Sequence, residues 1–339
     1  MTLYGQTLAT LAATPRKWLV TGAAGFIGSN LVDALLAANQ TVVGLDNLTT
    51  GRQANWKALS SAGGKRFTQI EGDIRSLDSC REACRGVDCI LHEAAQVSVP
   101  ASIDDPVTTH EVNVTGFLNV LMAARVHKVR RVVYASSCAI YGDSERLPLT
   151  EDQTPRPLSP YASSKLADEI YAESFSRSYG VETMGLRYFN VFGPRQDPKG
   201  AYAAVIPLWA SAMIQNTPIQ IFGDGSTTRD FCHVANVVQA NLLAATVELG
   251  AVRHDVVNVA AGGRTSLSEL FELLRAKLLP DYSHLQNYKP LHRDFRAGDI
   301  RHSHADVSKA QRRLGYIPTH SVEQGLQEAL AWYRNTPMS

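Results

Sequence analysis

The chain has few cysteines and no paired ones: Cys80, Cys84, Cys89, Cys138 and Cys232 are five in 339 residues, without a CxxC spacing. An odd, unpaired set argues against both a closed disulfide framework and a structural zinc cage, so reduced thiols in a cytoplasm are the expectation. Charge of one sign is also missing, since 33 Lys and Arg face 32 Asp and Glu for a formal +1. Without a basic footprint, nucleic acid is not an expected partner. No apolar run reaches the ~18 residues that a bilayer-crossing helix requires, and residues 1–15 lack the basic start and apolar stretch of an export signal. Repeats and low-complexity tracts are absent too. What is there, 45% apolar and 19% charged residues, suits a soluble enzyme with one large domain or two of about 100–200 residues each.

Residues 17–21, KWLVT, form a short apolar run that predicts a buried strand and feeds directly into a glycine-rich turn, Gly22-Ala23-Ala24-Gly25-Phe26-Ile27-Gly28. Helical apolar spacing follows over 27–38, and a β-branched run over 41–45 ends at Asp46. The alternation continues through strands at 67–70, 89–91 and 131–135, with a helix at 116–126. It predicts an α/β fold: a Rossmann-type doubly wound parallel sheet, with a smaller C-terminal α/β substrate-binding domain. The expected division is a loose N-terminal arm at 1–15, a nucleotide-binding Rossmann domain at 16–185 and a substrate-binding domain at 186–339. The last is interleaved, and a later segment of it is allowed to return to the sheet.

A strand that ends in glycines and opens a helix lets backbone approach a pyrophosphate, whose charge sits on the helix N-terminus. Gly22, Gly25 and Gly28 meet that need with a GxxGxxG spacing, and Phe26 and Ile27 supply the first helical N–H groups. Asp46 can accept hydrogen bonds from ribose hydroxyls and would repel a 2′-phosphate, while its neighbour Asn47 brings no arginine. NAD is therefore expected rather than NADP. Asp73 and Ile74, after the next strand, could hold the adenine edge or simply form a turn.

The second chemical signal is the pentad Tyr161-Ala162-Ser163-Ser164-Lys165. In a helix over 161–178, a spacing of four puts Tyr161 and Lys165 on one face, and an ammonium beside a phenol favours the phenolate. The expectation is a tyrosine that exchanges protons near neutrality rather than near its reference value of about 10.

These motifs, with His92-Glu93-Ala94-Ala95, Asn113-Val114-Thr115-Gly116, Ser136 to Gly142 and Leu186 to Pro194, resemble the extended short-chain dehydrogenase/reductase superfamily from about residue 16 onward. Within it the chain looks like the nucleotide-sugar 4-epimerases, especially bacterial enzymes that act on UDP-N-acetylglucosamine. The resemblance implies a tightly held NAD, contacted also by Ala94, Ala95, Asn113, Tyr161, Lys165 and Tyr188, and a UDP-sugar substrate. By position, Ser137 would bond the sugar O4, Tyr161 would be the proton acceptor and donor, and Lys165 would hold the nicotinamide ribose. Asn190, Phe222, Arg229, Arg296 and Asp299 match the segments that hold uridine and diphosphate in that family. No metal is implied.

Sister activities differ at a few positions. Dehydratases carry an acidic pair directly after the catalytic hydroxyl, and a Glu two places on marks the decarboxylases; Cys138 and Ala139 stand there instead. C4 epimerisation needs only base, hydroxyl and NAD. The resemblance also places Ser303 against the sugar C2 substituent, where a tyrosine confines relatives to unacetylated hexoses. A small residue there favours interconversion of UDP-N-acetylglucosamine and UDP-N-acetylgalactosamine. UDP-glucose and UDP-galactose are left as further substrates, and glucuronate-type or N-acetyl-uronate sugars as the alternative. A non-catalytic NAD-binding regulator is the rival of another class, disfavoured because Tyr161 and Lys165 are both kept. The resemblance further suggests a homodimer through helices near 116–128 and 161–178.

Overall fold

The computed structural model describes residues 2–198, 204–295 and 300–335. Seven parallel strands form its centre: β1 (Lys17–Thr21), β2 (Thr41–Asp46), β3 (Phe67–Glu71), β4 (Cys89–His92), β5 (Arg131–Ser137), β6 (Glu182–Tyr188) and β7 (His254–Val259). They lie in the order β7-β6-β5-β4-β1-β2-β3. The chain thus winds outward from β1 in one direction and from β4 in the other, and the crevice at that reversal is where such sheets bind ligands.

Alternation along β1 assigns its side chains to two cores. Trp18 and Val20 join Leu31, Leu35 and Leu242 on one face, and Leu19 joins Ile90, Val132 and Phe117 on the other. Burial on both faces is why these strands read as near-continuous apolar runs. A third core gathers Trp209, Leu270, Leu274, Leu326 and Leu330 from helices Val205–Ile214, Leu267–Leu278 and Val322–Asn335. β6 runs three residues past position 185 and pairs with β7, so the C-terminal half contributes a strand to the sheet.

The segment read as a loose arm contains a helix, Leu3–Ala13. Tyr4, Leu8 and Leu11 recur at helical spacing and pack on the first core, and the Gln40 Nε2 donates to the Leu11 carbonyl at 2.7 Å. Burial of that stripe, rather than intrinsic propensity, holds so short a helix.

The remaining strands come in pairs of two or three residues. Val191–Phe192 pairs with Cys232–His233, Thr228–Arg229 with Thr265–Ser266, and Gln220–Phe222 with Leu291–Arg293. The segment carrying Ser303 is stitched between two distant partners. Ser303 N donates to the Thr228 carbonyl at 3.1 Å, and Leu149 N donates to the His304 carbonyl at 2.7 Å. Among the described residues, no helix is long and apolar enough to cross a membrane.

Candidate active site

The glycine turn lies at the sheet's reversal. Gly22 leaves β1 at φ +67°, and its N–H donates to the Leu45 carbonyl at 2.8 Å. A Cβ on Gly22 would lie 2.9 Å from the Ala94 amide nitrogen after β4, and one on Gly28 only 2.1 Å from the Gly22 oxygen. Both contacts are closer than a side chain permits, so the turn and the helix Phe26–Ala37 can pack only as glycine. That helix starts at Gly25 without a side-chain cap, which leaves the first N–H groups, those of Phe26 and Ile27 among them, directed outward for an anion.

At the end of β2 the Asp46 carboxylate accepts from Ala24 N at 2.9 Å and Leu48 N at 2.8 Å. Burial raises its pKa and these amides oppose the rise. The Gly25 amide acts on it as well, and the acceptor capacity that is left can take ribose hydroxyls. Gly51, which sequence reasoning missed, lets the loop close over it: a Cβ there would sit 2.6 Å from Asp46 Oδ1. Asn47 donates to Asp73 Oδ2 at 2.9 Å, so these two predicted residues meet. Asp73 also pairs with Arg75, which holds its carboxyl down at about 2. Ile74 is buried beneath Gly116, where it supports the crevice from below. Open helix N–H groups, a glycine cradle and a ribose-directed carboxylate fit a dinucleotide such as NAD.

Ser137 ends β5, and Tyr161 is the second residue of helix Pro160–Tyr179, which Ser159 caps by accepting from Ala162 N at 3.2 Å. The structure brings the Tyr161 phenol near the Ser137 hydroxyl, whose presence favours the phenolate, with Lys165 close by. Lys165 Nζ donates to Asp168 Oδ2 at 3.2 Å, and both side chains are almost wholly buried. Burial acts to lower the Lys165 pKa, but Asp168 and Tyr161 beside it outweigh burial, so the amine stays an ammonium. The phenol departs from expectation. Burial raises its pKa, and Lys165 and Ser137 only partly offset that, so these protein groups alone do not bring Tyr161 toward neutrality.

Around this trio lies a buried polar shell that no local pattern announced. Glu93 accepts from the Tyr188 hydroxyl at 2.8 Å, and burial pushes its carboxyl up to about 8. Tyr188 itself accepts from Asn241 at 2.8 Å, so its hydroxyl is engaged by protein on both sides. Burial raises Asp168 to about 7. Burial pushes His92 down to about 3, and its Nδ1 meets the Thr21 hydroxyl, which also accepts from Ala94 N at 3.2 Å. Ala95 follows, half-buried beside this junction. Asn113 lies in a π-helical turn, Glu111–Thr115, and clamps the 96 loop to the long helix. Its Oδ1 accepts from Gln96 N at 2.8 Å, while its Nδ2 donates to the Gln96 carbonyl and to Ser164 Oγ. Beneath Ser136, Glu169 takes a bidentate pair from Arg187, whose Nη1 reaches Tyr141 and through it Asn258.

On the substrate side, Asn190 stands at φ +35° with its amide on the Asp230 carbonyl at 3.1 Å. Arg229 is half-buried and donates to the Thr228 carbonyl at 3.0 Å, and its cation acts on the Cys138 thiol. Burial pushes that thiol up to about 11, against the pull of Arg229 and Ser303. Position 138 thus faces positions 229 and 303. The Ser303 side chain is 6% exposed and its hydroxyl has no hydrogen-bond partner of normal geometry among the described residues. Phe222 ends the short strand Gln220–Phe222, beside the turn at Gly223. Arg296 and Asp299 lie outside the described residues.

Comparison with known proteins points the same way. Residues 18–260 match the NAD dependent epimerase/dehydratase family. A UDP-glucose 4-epimerase of Mycolicibacterium smegmatis is 38% identical over 322 residues, 94% of this chain and 99% of that protein. The UDP-N-acetylglucosamine 4-epimerase of Methanobrevibacter ruminantium, solved with UDP-N-acetylmuramic acid, superposes with a TM-score of 0.87 at 35% identity, covering 95% of this chain and 99% of that one. The Thermus thermophilus UDP-glucose 4-epimerase, solved with NAD, gives 0.81 at 32% identity over 94% and 99%.

Proposed function

The chain belongs to the NAD dependent epimerase/dehydratase family, and from that premise we propose that it is a UDP-sugar 4-epimerase that interconverts UDP-N-acetylglucosamine and UDP-N-acetylgalactosamine. The observation that carries the reaction type is the gathering of Ser137 and Tyr161 beside buried Lys165, with the non-acidic Cys138 and Ala139 following Ser137. A proton can be taken from and returned to a sugar hydroxyl there. The acid and base that loss of water requires are missing at 138 and 139.

When bound at the glycine turn and Asp46, NAD supplies the hydride acceptor and donor, and its cationic ring adds to Lys165 in favouring the phenolate. Tyr161 removes the proton from O4 as the C4 hydride leaves, giving a 4-keto sugar. Ser137 donates to the sugar oxygen and keeps it aligned with the phenol. Arg229 holds the diphosphate with a planar cationic fork, so the hexose can turn over while its anchor stays. Tyr161 then returns the proton to O4 as the hydride comes back to the opposite face of C4. Inversion at C4 leaves no net redox change.

The acetylated sugar rests on Ser303, a small buried residue whose free hydroxyl faces the same space as Cys138. Similarity to the Methanobrevibacter enzyme adds support. For assembly we infer a homodimer through the outer face of helix Pro160–Tyr179, where Ile170 and Tyr171 are exposed. The test of function is incubation of the purified chain with UDP-N-acetylglucosamine and no added cofactor, in a panel with UDP-glucose and UDP-glucuronate. The galacto product should form, and Tyr161→Phe should slow it by about 10²–10⁴-fold with bound NAD retained. No galacto product from protein whose absorbance confirms NAD would defeat the reading.

A further inference from the structure

Away from the glycine turn, the chain brings two histidines and one glutamate together. His233 ends the strand Cys232–His233 and caps helix Val234–Thr246, His320 lies in the loop before helix Val322–Asn335, and Glu328 projects from that helix. His320 Nε2 is 3.1 Å from Glu328 Oε1, and His233 Nε2 is 3.9 Å from Glu328 Oε2. One ligand atom from each residue lies within 4.8 Å of the other two.

His233 carries the strongest sign of a missing partner. It is 2% exposed, yet neither ring nitrogen has a hydrogen bond among the described residues. A buried imidazole left unpaired is costly, and coordination of one nitrogen removes that cost. Gly325 permits the close seating of the helix, because a Cβ there would lie 2.8 Å from His233 Cβ.

The surroundings of His320 are built as an outer shell. Asn236 is fully buried; its Oδ1 accepts from Thr319 N at 2.8 Å and His320 N at 3.0 Å, and its Nδ2 donates to the His320 carbonyl at 2.9 Å. The Thr319 hydroxyl lies 3.1 Å from Asn236 Oδ1 and 2.8 Å from His320 Nδ1, so when its proton goes to Asn236 it accepts from Nδ1–H. In that arrangement Nδ1 carries the proton and the Nε2 lone pair is free, as in ligating histidines. With that tautomer the Nε2 lone pair faces the Glu328 carboxylate at 3.1 Å, and a cation between them relieves the repulsion.

We propose that His233, His320 and Glu328 form a site for a divalent transition metal of the zinc class. Two imidazoles and a carboxylate suit zinc, whereas magnesium and calcium prefer all-oxygen sets. Three protein ligands leave a position for water, and Glu328, about half exposed, can close the remaining distance. The ion would tie the last helix to the Cys232–His233 strand, whose Cys232 N donates to the Asn190 carbonyl at 3.2 Å. Its role is therefore to brace the substrate wall from behind.

The test uses untagged full-length protein carrying NAD, treated with chelator and titrated with Co²⁺ alone. One equivalent should bind, producing visible ligand-field bands that Zn²⁺ abolishes and raising the thermal midpoint. His320→Ala and Glu328→Gln should each lose the bands and bind at least ~tenfold more weakly, with circular dichroism and NAD content unchanged. Glu328→Gln changes a half-exposed side chain and so keeps the comparison sound if His320→Ala folds poorly. No stoichiometric uptake by the unaltered chain, equal uptake by both variants, or a thiolate charge-transfer band would each overturn the assignment.

Discussion

Position 303 has a place in the site only because the chain around it is sewn to Thr228 on one side and Leu149 on the other, which sets a small hydroxyl opposite Cys138 and Arg229. On the proposed acetylated substrate, a tyrosine introduced there fills the volume the N-acetyl group requires. Ser303→Tyr should therefore lower kcat/KM for UDP-N-acetylglucosamine by about 10–100-fold, the range for overfilling a packed space, while changing UDP-glucose turnover by no more than about threefold. Steady-state kinetics with both sugars checks this, with the thermal midpoint as a control for folding. Equal losses on both sugars would show that position 303 does not gate the C2 substituent. At this scale the grouping of Ser137, Tyr161 and Lys165 was legible because Tyr161 and Lys165 carry a local spacing and Ser137 ends a strand. Asp168 and Glu93 were not. Burial sets the ionisation of both, and Glu93 meets its partner Tyr188 on another element; no spacing encodes burial, which is also what lifts the Tyr161 phenol against Lys165.

The glycine turn is the element on which cofactor binding depends. Its geometry is set by approach distances too short for any Cβ, so Gly28→Ala must push the helix Phe26–Ala37 away from Gly22. Overpacking of this kind costs about 1–3 kcal/mol, so NAD affinity should fall by roughly 10–100-fold. Absorbance of the protein as purified and calorimetric titration with NAD measure it; unchanged affinity would mean that the helix N-terminus does not face the pyrophosphate. Strong periodicity made the main elements readable. The helix expected over 116–126 is Gly116–Val126, and the strand at 131–135 extends to Ser137. The Leu3–Ala13 helix went unread although Tyr4, Leu8 and Leu11 carry its period, because an apolar stripe declares itself only against the core that covers it. The two- and three-residue strand pairs carry no periodicity at all. Each exists through a partner far away in the chain, as Thr228–Arg229 does through Thr265–Ser266.

At the scale of the whole molecule, helix Pro160–Tyr179 works on two faces. Its inner face holds Tyr161, Lys165, Asp168 and Glu169 against β5 and β6, and its outer face presents Ile170, 59% exposed, with Tyr171 and Tyr179. Val126, at the end of the neighbouring helix Gly116–Val126, is exposed as well, and Arg125 stacks over the Tyr179 ring at 4.0 Å. A contiguous apolar face on the outer side of the catalytic helix suits a two-fold contact, in which the same patch meets itself. Under the proposed homodimer, burying one isoleucine side chain stabilises by about 1.5–3 kcal/mol, and each copy of the residue appears once in a symmetric interface. Ile170→Glu removes that burial twice and sets two carboxylates near each other. Sedimentation velocity at micromolar concentration should find the unaltered chain dimeric and the variant shifted to monomer, with a dissociation constant raised at least ~100-fold. A monomeric unaltered chain would place the partner surface elsewhere. Because Lys165 and Asp168 lie on the opposite side of the same helix, monomeric Ile170→Glu should still retain its NAD, and loss of cofactor together with the dimer would mean that assembly and the site are coupled through this helix.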